Sequence, residues 1–117
     1  MTEIRPNVFD AKCGSREVLA IVTHRWSMLA MYAIGTGTLR HHELRAKIGG
    51  ISQKMLTQTL RHLERDGLVA RTDHGVMPPR VDYTLTPLGL TLLDTLGGIC
   101  VWAEQHLGEV REARQRH

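Results

Sequence analysis

Five polar side chains between positions 52 and 67 have the types and spacing that suit contacts with a nucleic-acid duplex. They are Gln53, Lys54, Thr57, Gln58 and Arg61. A glutamine amide pairs with adenine through two hydrogen bonds, a lysine or arginine pairs with guanine, and a threonine methyl contacts the thymine methyl. Each good bidentate pair discriminates between bases by roughly 1–3 kcal/mol. The alternative is a solvated helix face without a ligand, because surface helices generally have a polar outer side.

An apolar side at helical spacing would anchor this segment. It consists of Met55, Leu56, Thr59, Leu60 and Leu63. Ser52 suits the N-cap and Gly67 the C-terminal end, so the pattern predicts one helix between them. Upstream, positions 41–48 predict a shorter helix with Leu44 and Ile48 one turn apart, and a Gly-Gly pair then supplies a tight turn. The order is therefore helix, glycine turn, helix.

Two runs of alternating apolar and polar residues, 68–72 and 80–85, follow and predict an antiparallel hairpin. The intervening stretch 73–79 contains one glycine and two prolines and is too long for a two-residue turn, so the tip is expected to project. Arg71 and Arg80 flank this tip. An arginine there enters a narrowed minor groove or pairs with a phosphate. The alternative is an ordinary solvated side chain of the hairpin without a ligand.

Helices are predicted on both sides of these elements. Ser15 suits the N-cap of a first helix of about ten residues, and a second helix is expected over 26–34. Residues 1–12 lack a period and are expected to form a flexible N-terminal arm. The remainder, 13–117, is then a single domain.

The longest helix is predicted over about 86–114, with Thr86 as N-cap and Pro87 at its first position. Its apolar surface is wider than one face needs, because Leu93 and Cys100 lie beside the main stripe. A terminal helix that is apolar on more than one side usually packs against a second body, so we expect a dimerisation helix. The interface is expected to include Leu92, Leu96, Ile99, Trp102, Ala103 and Leu107.

The predicted elements form a mainly α chain with a small antiparallel hairpin. In a small basic domain, their order is typical of a winged helix-turn-helix. The second helix of the motif then enters the major groove, where its polar face meets base edges and phosphates. The expected DNA-binding residues are Ser52, Gln53, Lys54, Thr57, Gln58, Arg61, Arg45, Arg71 and Arg80.

Length and composition agree with this class and exclude others. The 117 residues make one domain, too small for the large catalytic folds. The net charge of +3 and a pI near 9.2 favour a polyanionic partner. No apolar run approaches the roughly 18 residues of a membrane span, and no signal peptide is recognised. Two cysteines cannot build the framework of a disulfide-rich secreted domain, so the chain is expected in the cytoplasm.

Other chemistry is not expected from the residue patterns. The sequence shows no phosphate-binding loop, metalloprotease helix or nucleophile elbow, which argues against an enzyme and against a cofactor. The adjacent His41, His42 and Glu43 do not predict a metal site, because neighbouring helical side chains point about 100° apart. Trp26, Trp102 and Tyr83 are expected in the core or at an interface, and the alternative is a cleft lined by Trp26, Tyr32 and Trp102 that holds a small aromatic effector.

Several of these segments together resemble a known family. The sequence carries GISQKML at 50–56, PPRVDY at 78–83 and LTPLG at 85–89, and Cys13 lies ahead of an Arg-Trp pair at 25–26. Over roughly 13–107, the chain is similar to the HxlR-type winged helix-turn-helix transcriptional regulators of bacteria. The resemblance implies a homodimeric repressor or activator that binds operator DNA through a two-fold arrangement of subunits. The alternative is a protein-interaction adaptor without DNA binding, because winged helices also serve that purpose.

The resemblance is incomplete at three places. Gly14 follows Cys13 where the family commonly has proline, and Asp82 stands where glutamate is commoner. His41 and His42 replace an aromatic residue followed by serine, which removes a core aromatic and a good N-cap from the short helix.

The resemblance also implies a role for Cys13 as a candidate thiol switch, since some members carry a thiol there that responds to oxidants or electrophiles. The nearby helix N-terminus and Lys12 favour the thiolate. The alternative is a small unreactive side chain. Cys100 is expected to be a small buried hydrophobic residue.

Overall fold

The structure of the protein, a computed structural model, describes residue 17, residues 19–21 and residues 24–117. Residues 17 and 19–21 are helical, within the segment predicted as the first helix. The predicted cap at Ser15, the arm over residues 1–12 and the thiol of Cys13 lie outside the described residues.

Three helices build the centre of the molecule. They are α1 (Arg25–Ile34), α2 (His41–Lys47) and α3 (Gln53–Arg65). The Ser52 hydroxyl accepts a hydrogen bond from the Met55 amide at 3.0 Å, which confirms the predicted N-cap of α3. Past the end of α3, Gly67 adopts a φ of 76°, a left-handed conformation that glycine tolerates best.

A three-stranded antiparallel sheet forms the wing. It contains β1 (Leu39–Arg40), β2 (Val69–Asp73) and β3 (Val81–Leu85), in the order β1-β3-β2. The register of the hairpin pairs Val69 with Leu85 and Asp73 with Val81. The predicted hairpin is confirmed, and β1 is an addition, because two residues are too few to show an alternating pattern.

The last helix, α4 (Pro87–Arg116), is joined tightly to the end of α3. The Thr86 hydroxyl accepts from the Gly89 amide at 3.0 Å, as an N-cap does, and donates to the Gly67 carbonyl at 2.6 Å. The Thr86 amide also donates to the Leu68 carbonyl at 3.1 Å. Gly89 lies so close to that carbonyl that a β-carbon at this position would collide with it. The cap at Thr86 and the proline at the first helical position match the sequence prediction.

The hydrophobic core lies between α1, α2, α3, the start of β2 and the first half of α4. From α3 it takes Leu56, Leu60 and Leu63, which are almost completely buried. From α4 it takes Leu96. The architecture is a winged helix-turn-helix with a long C-terminal helix. None of the helices in the described part of the chain has the length and apolar character needed to cross a bilayer.

Candidate nucleic-acid interface

The outer face of α3 is open to solvent while its leucine side is buried. The side chains of Gln53, Lys54, Gln58 and Arg61 are all exposed, as predicted for a reading face. Ser52 is exposed too, but its hydroxyl caps the helix. The face combines two amides and two cations, which are hydrogen-bonding groups of the kinds that meet base edges and phosphates.

Thr57 differs from its neighbours because it is half-buried and already has a partner. The Thr57 Oγ1 lies 3.1 Å from Nε2 of His41, the first residue of α2, so the two helices of the motif are linked at this point. Burial first, and then the charge of Arg45 and the neighbouring His42, lower the pKa of His41. The ring is therefore favoured in its neutral form near neutral pH.

The wing stands directly beside α3. A cleft of about 390 Å³ between them is lined by Thr57, Leu60, Arg61, Glu64, Arg71 and Tyr83. Arg61 of α3 and Arg71 of β2 thus border the same opening, both exposed. The structure brings together two of the predicted DNA contacts that are distant in the sequence.

Asp82 of β3 organises the tip end of the wing, where it lies one residue pair from the loop between β2 and β3. Its carboxylate is nearly buried, with His74 Nε2 at 2.8 Å from one oxygen and Arg80 Nε at 3.4 Å from the other. Arg40, its cross-strand neighbour on β1, lies 3.9 Å away. The hydrogen bond from His74, and then the hydrogen bond and charge of Arg80, hold the pKa of Asp82 below its ordinary value against the opposing effect of burial.

Arg80 is therefore not simply a free cation at the wing tip, as the sequence suggested. Its side chain is half exposed and pairs with Asp82. Sequence reasoning missed Asp82 as the centre of this cluster, because its partners on β1 and in the tip loop become neighbours only in the fold. Arg45 of α2 remains exposed, whereas Lys47 donates to the Thr36 hydroxyl at 2.6 Å and braces α2 against the preceding turn.

The six residues predicted for a dimer interface on α4 separate into two groups. Leu96 is 0% exposed and belongs to the core of its own chain, so it has no surface for a partner, contrary to the prediction. Ile99, Trp102 and Leu107 are exposed by 44%, 57% and 45%, Ala103 is exposed, and Leu92 is half-buried. The spacing of apolar residues along a long helix does not show which helical turns are buried in the core of the same chain and which remain exposed.

The predicted effector cleft is wrong in its composition. Trp26 lies under the Arg25 guanidinium at 4.4 Å, and Trp102 packs against the His106 ring at 5.0 Å between centroids. Tyr32 instead borders a cleft of about 430 Å³ between α1 and α4, with Leu90 among its neighbours. Within the part of the chain that the structure describes, no group of three histidine, cysteine or acidic side chains is arranged to hold a metal ion.

Comparison with known proteins places this geometry among regulators. The sequence model of the HxlR-like helix-turn-helix family matches residues 21–111. The HTH-type transcriptional regulator YtfH of Escherichia coli is 46% identical over 108 residues, which cover 92% of this chain and 86% of that protein. The structure of the transcriptional regulator ytfH from Salmonella typhimurium has a TM-score of 0.87 at 44% identity, covering 95% of this chain and 99% of that one. The redox regulator HypR in its reduced form has a TM-score of 0.79 at 32% identity, with 84% of this chain and 97% of that chain covered.

Proposed function

Because the chain belongs to the HxlR-like helix-turn-helix family of transcriptional regulators, which are not enzymes, we propose that it binds operator DNA as a homodimer. The observation that carries the proposal is the outer face of α3, with its amides and cations exposed on a helix whose other side is fixed in the core. A helix of this kind fits the major groove of B-DNA.

In this proposal α3 reads bases and the wing contacts the backbone. Gln53 and Gln58 offer amides for adenine, while Lys54 and Arg61 pair with guanine or phosphate. Arg71, across the cleft from Arg61, is positioned for an adjacent phosphate. Each phosphate neutralised releases condensed counterions, so the logarithm of the binding constant falls with a slope of about −0.9 per phosphate against the logarithm of the salt concentration.

The homodimer is proposed from the exposed apolar side chains of α4. Trp102, Ile99 and Leu107 leave a large apolar surface on a helix whose first turns alone reach the core. Exposed apolar patches of this kind mark interfaces in soluble proteins. In a two-fold dimer the two copies of α3 would lie about 34 Å apart, one DNA turn, on a pseudo-palindromic site.

A thiol switch at Cys13 completes the proposal, with an oxidant or electrophile as effector in the cytoplasm. It is supported by the sequence around Cys13, where Lys12 and a predicted helix start favour the thiolate, and by the similarity to HypR, which is described as a redox regulator. Genome-wide capture of bound DNA with and without an oxidant or an aldehyde tests this part. Release of DNA in the wild type but not in Cys13→Ser supports the switch, and equal release in both removes it.

DNA binding itself is tested by fluorescence anisotropy with the promoter of the neighbouring gene and with a scrambled duplex. We expect Arg61→Ala to weaken operator binding by about tenfold, the value of one good contact, and Gln58→Ala to do the same. If Lys54 contacts a phosphate, Lys54→Ala should weaken binding to all duplexes equally. If Lys54 reads a base, the variant should weaken binding to the operator alone. Arg114→Ala, which removes an exposed arginine at the far end of α4, is the matched control. No binding to either duplex at low salt would favour the adaptor instead.

A further inference from the structure

The link between His41 and Thr57 joins the two helices at a position where a base-reading side chain is expected. His41 is the first residue of α2, directly after β1, and Thr57 lies one turn into α3. The Nε2 to Oγ1 distance of 3.1 Å is that of a hydrogen bond between two half-buried side chains. In the part of the chain that the structure describes, the Thr57 hydroxyl makes no other hydrogen bond.

Hydrogen-bond accounting leaves two arrangements for this pair. A hydroxyl has one proton to donate and two lone pairs, and a neutral imidazole has one N–H and one bare nitrogen. If Nε2 is bare, the hydroxyl donates to it and shows only lone pairs to a ligand. If Nε2 carries the proton, it donates to Oγ1 and the hydroxyl proton of Thr57 stays available.

The second arrangement is the favoured one. The tautomer with a proton on Nε2 is the more populated form of a free neutral histidine side chain, and a charged ring also donates from Nε2. The burial of His41 and the nearby charge of Arg45 favour the neutral ring without changing the direction of this bond. With the Nε2-protonated neutral ring and with the charged ring, Thr57 therefore keeps its proton for an outside acceptor.

We infer that His41 is a specificity-determining positioning residue, which donates from Nε2 to Thr57 Oγ1 and so makes the Thr57 hydroxyl a hydrogen-bond donor towards a base edge. The inference rests on the proposed function, with α3 in the major groove. The acceptors offered there are N7 and O6 of guanine, N7 of adenine and O4 of thymine. His41 itself touches no DNA in this arrangement.

Two variants separate this role from a purely structural brace between α2 and α3. His41→Phe keeps a planar ring but removes both nitrogens, and Thr57→Val keeps the shape of the threonine but removes the hydroxyl. His42→Phe is the matched control, since His42 is the exposed neighbour on the same helix. His41→Gln, whose amide also donates, and Thr57→Ser, which retains the hydroxyl, are rescue variants.

The first readout is nuclear magnetic resonance of the histidine ring nitrogens in the free protein. We expect His41 to carry its proton on Nε2, and we expect Thr57→Val to shift that signal while His42→Phe leaves it unchanged at a pH where both rings are neutral. A bare Nε2 in the neutral ring, or a His41 signal that does not respond to Thr57→Val, would overturn the inference. This readout does not depend on DNA.

The second readout is selection of preferred duplexes from an operator randomised one base pair at a time. We expect His41→Phe and Thr57→Val to reduce the preference at the same single base pair by about three- to tenfold, the value of one hydrogen bond. The double variant should lose no more than either single one, and the rescue variants and His42→Phe should retain the preference. Thermal unfolding verifies that each variant is folded.

The outcomes distinguish this inference from the proposed function. Unchanged base preference in a folded His41→Phe protein overturns the inference alone, and so does an equal loss of affinity for all sequences, which would indicate a phosphate contact. Failure of the wild type to bind any duplex overturns the proposed function and, with it, the role of His41.

Discussion

The anchoring of α3 is tested most directly at Thr59, on the inner side of the helix. Thr59 is 2% exposed, and its Oγ1 is buried without a hydrogen-bond partner among the described residues. A buried hydroxyl left without a partner costs about 1–3 kcal/mol in protein mutational data. Valine replaces that hydroxyl with a methyl group of similar size and has nearly the same helix propensity. We therefore expect Thr59→Val to raise the free energy of unfolding by about 1–2 kcal/mol.

The measurement is urea unfolding followed by circular dichroism, at one fixed protein concentration because the stability of a dimer depends on it. In a chain of this length, 1 kcal/mol corresponds to about 4 °C in Tm. Thr95→Val, at an exposed position of α4, is the control and should change stability little. Thr59→Ala also removes the methyl group and should destabilise by about 1 kcal/mol through the cavity it leaves. A loss of stability in Thr59→Val would refute the reasoning, since it would mean that the hydroxyl has a partner in solution.

Three further changes have expected outcomes. Gly89→Ala should lower the free energy of unfolding by about 2–3 kcal/mol, because the new methyl group collides with the Leu68 carbonyl, and thermal unfolding measures this. Asp82→Asn should destabilise at neutral pH. The interactions that lower the pKa of Asp82 stabilise the fold at every pH above the ordinary pKa of 3.8. This contribution is lost as the pH falls through the lower pKa of the folded state. The difference between Asp82→Asn and the wild type should therefore shrink with acidity in urea unfolding. Trp102→Glu should convert the proposed dimer to monomer, as measured by analytical ultracentrifugation, because it would place a charge in the proposed interface.

Each of these has an outcome that contradicts it. Gly89→Ala with unchanged stability would mean that the helix start shifts freely. If the free energies of unfolding of Asp82→Asn and the wild type differ by the same amount down to strongly acidic pH, the Asp82 carboxylate does not cause the acid sensitivity of the wing. A Trp102→Glu protein that stays dimeric would place the interface elsewhere, whereas Arg114→Ala should leave the dimer intact as the control.

Local signals made most of the architecture predictable from the sequence. Ser52 and Thr86 each satisfy free amides at the start of their own helix, so a few neighbouring residues are enough to locate them. Gly67 marks the end of α3 by the same local logic. The polar and apolar sides of α3 follow from a spacing of 3.6 residues, and both lie where that spacing predicts.

The features that sequence reasoning missed depend on contacts between distant residues. The two residues of β1 become a strand only through pairing with β3. The bond between His41 and Thr57 spans sixteen positions, and the cluster around Asp82 joins β1, β3 and the tip loop of the hairpin. Leu96 has the same spacing as the exposed residues of its stripe, and only the packing of α1 against α4 shows that it is internal. The residue types in the sequence identified the candidate site residues. Only the fold shows which side chains those residues contact.

The hydrogen bonds of Thr86 to the residues after α3 determine how a regulator with this shape can move. Thr86 donates hydrogen bonds to two backbone carbonyls just past the end of α3, and the same residue caps α4, the proposed dimer helix. In a dimer built on α4, a rotation of one subunit relative to the other would therefore move α3 together with α4. An effector that changes the angle between subunits would alter the spacing of the two α3 helices on DNA without touching either of them.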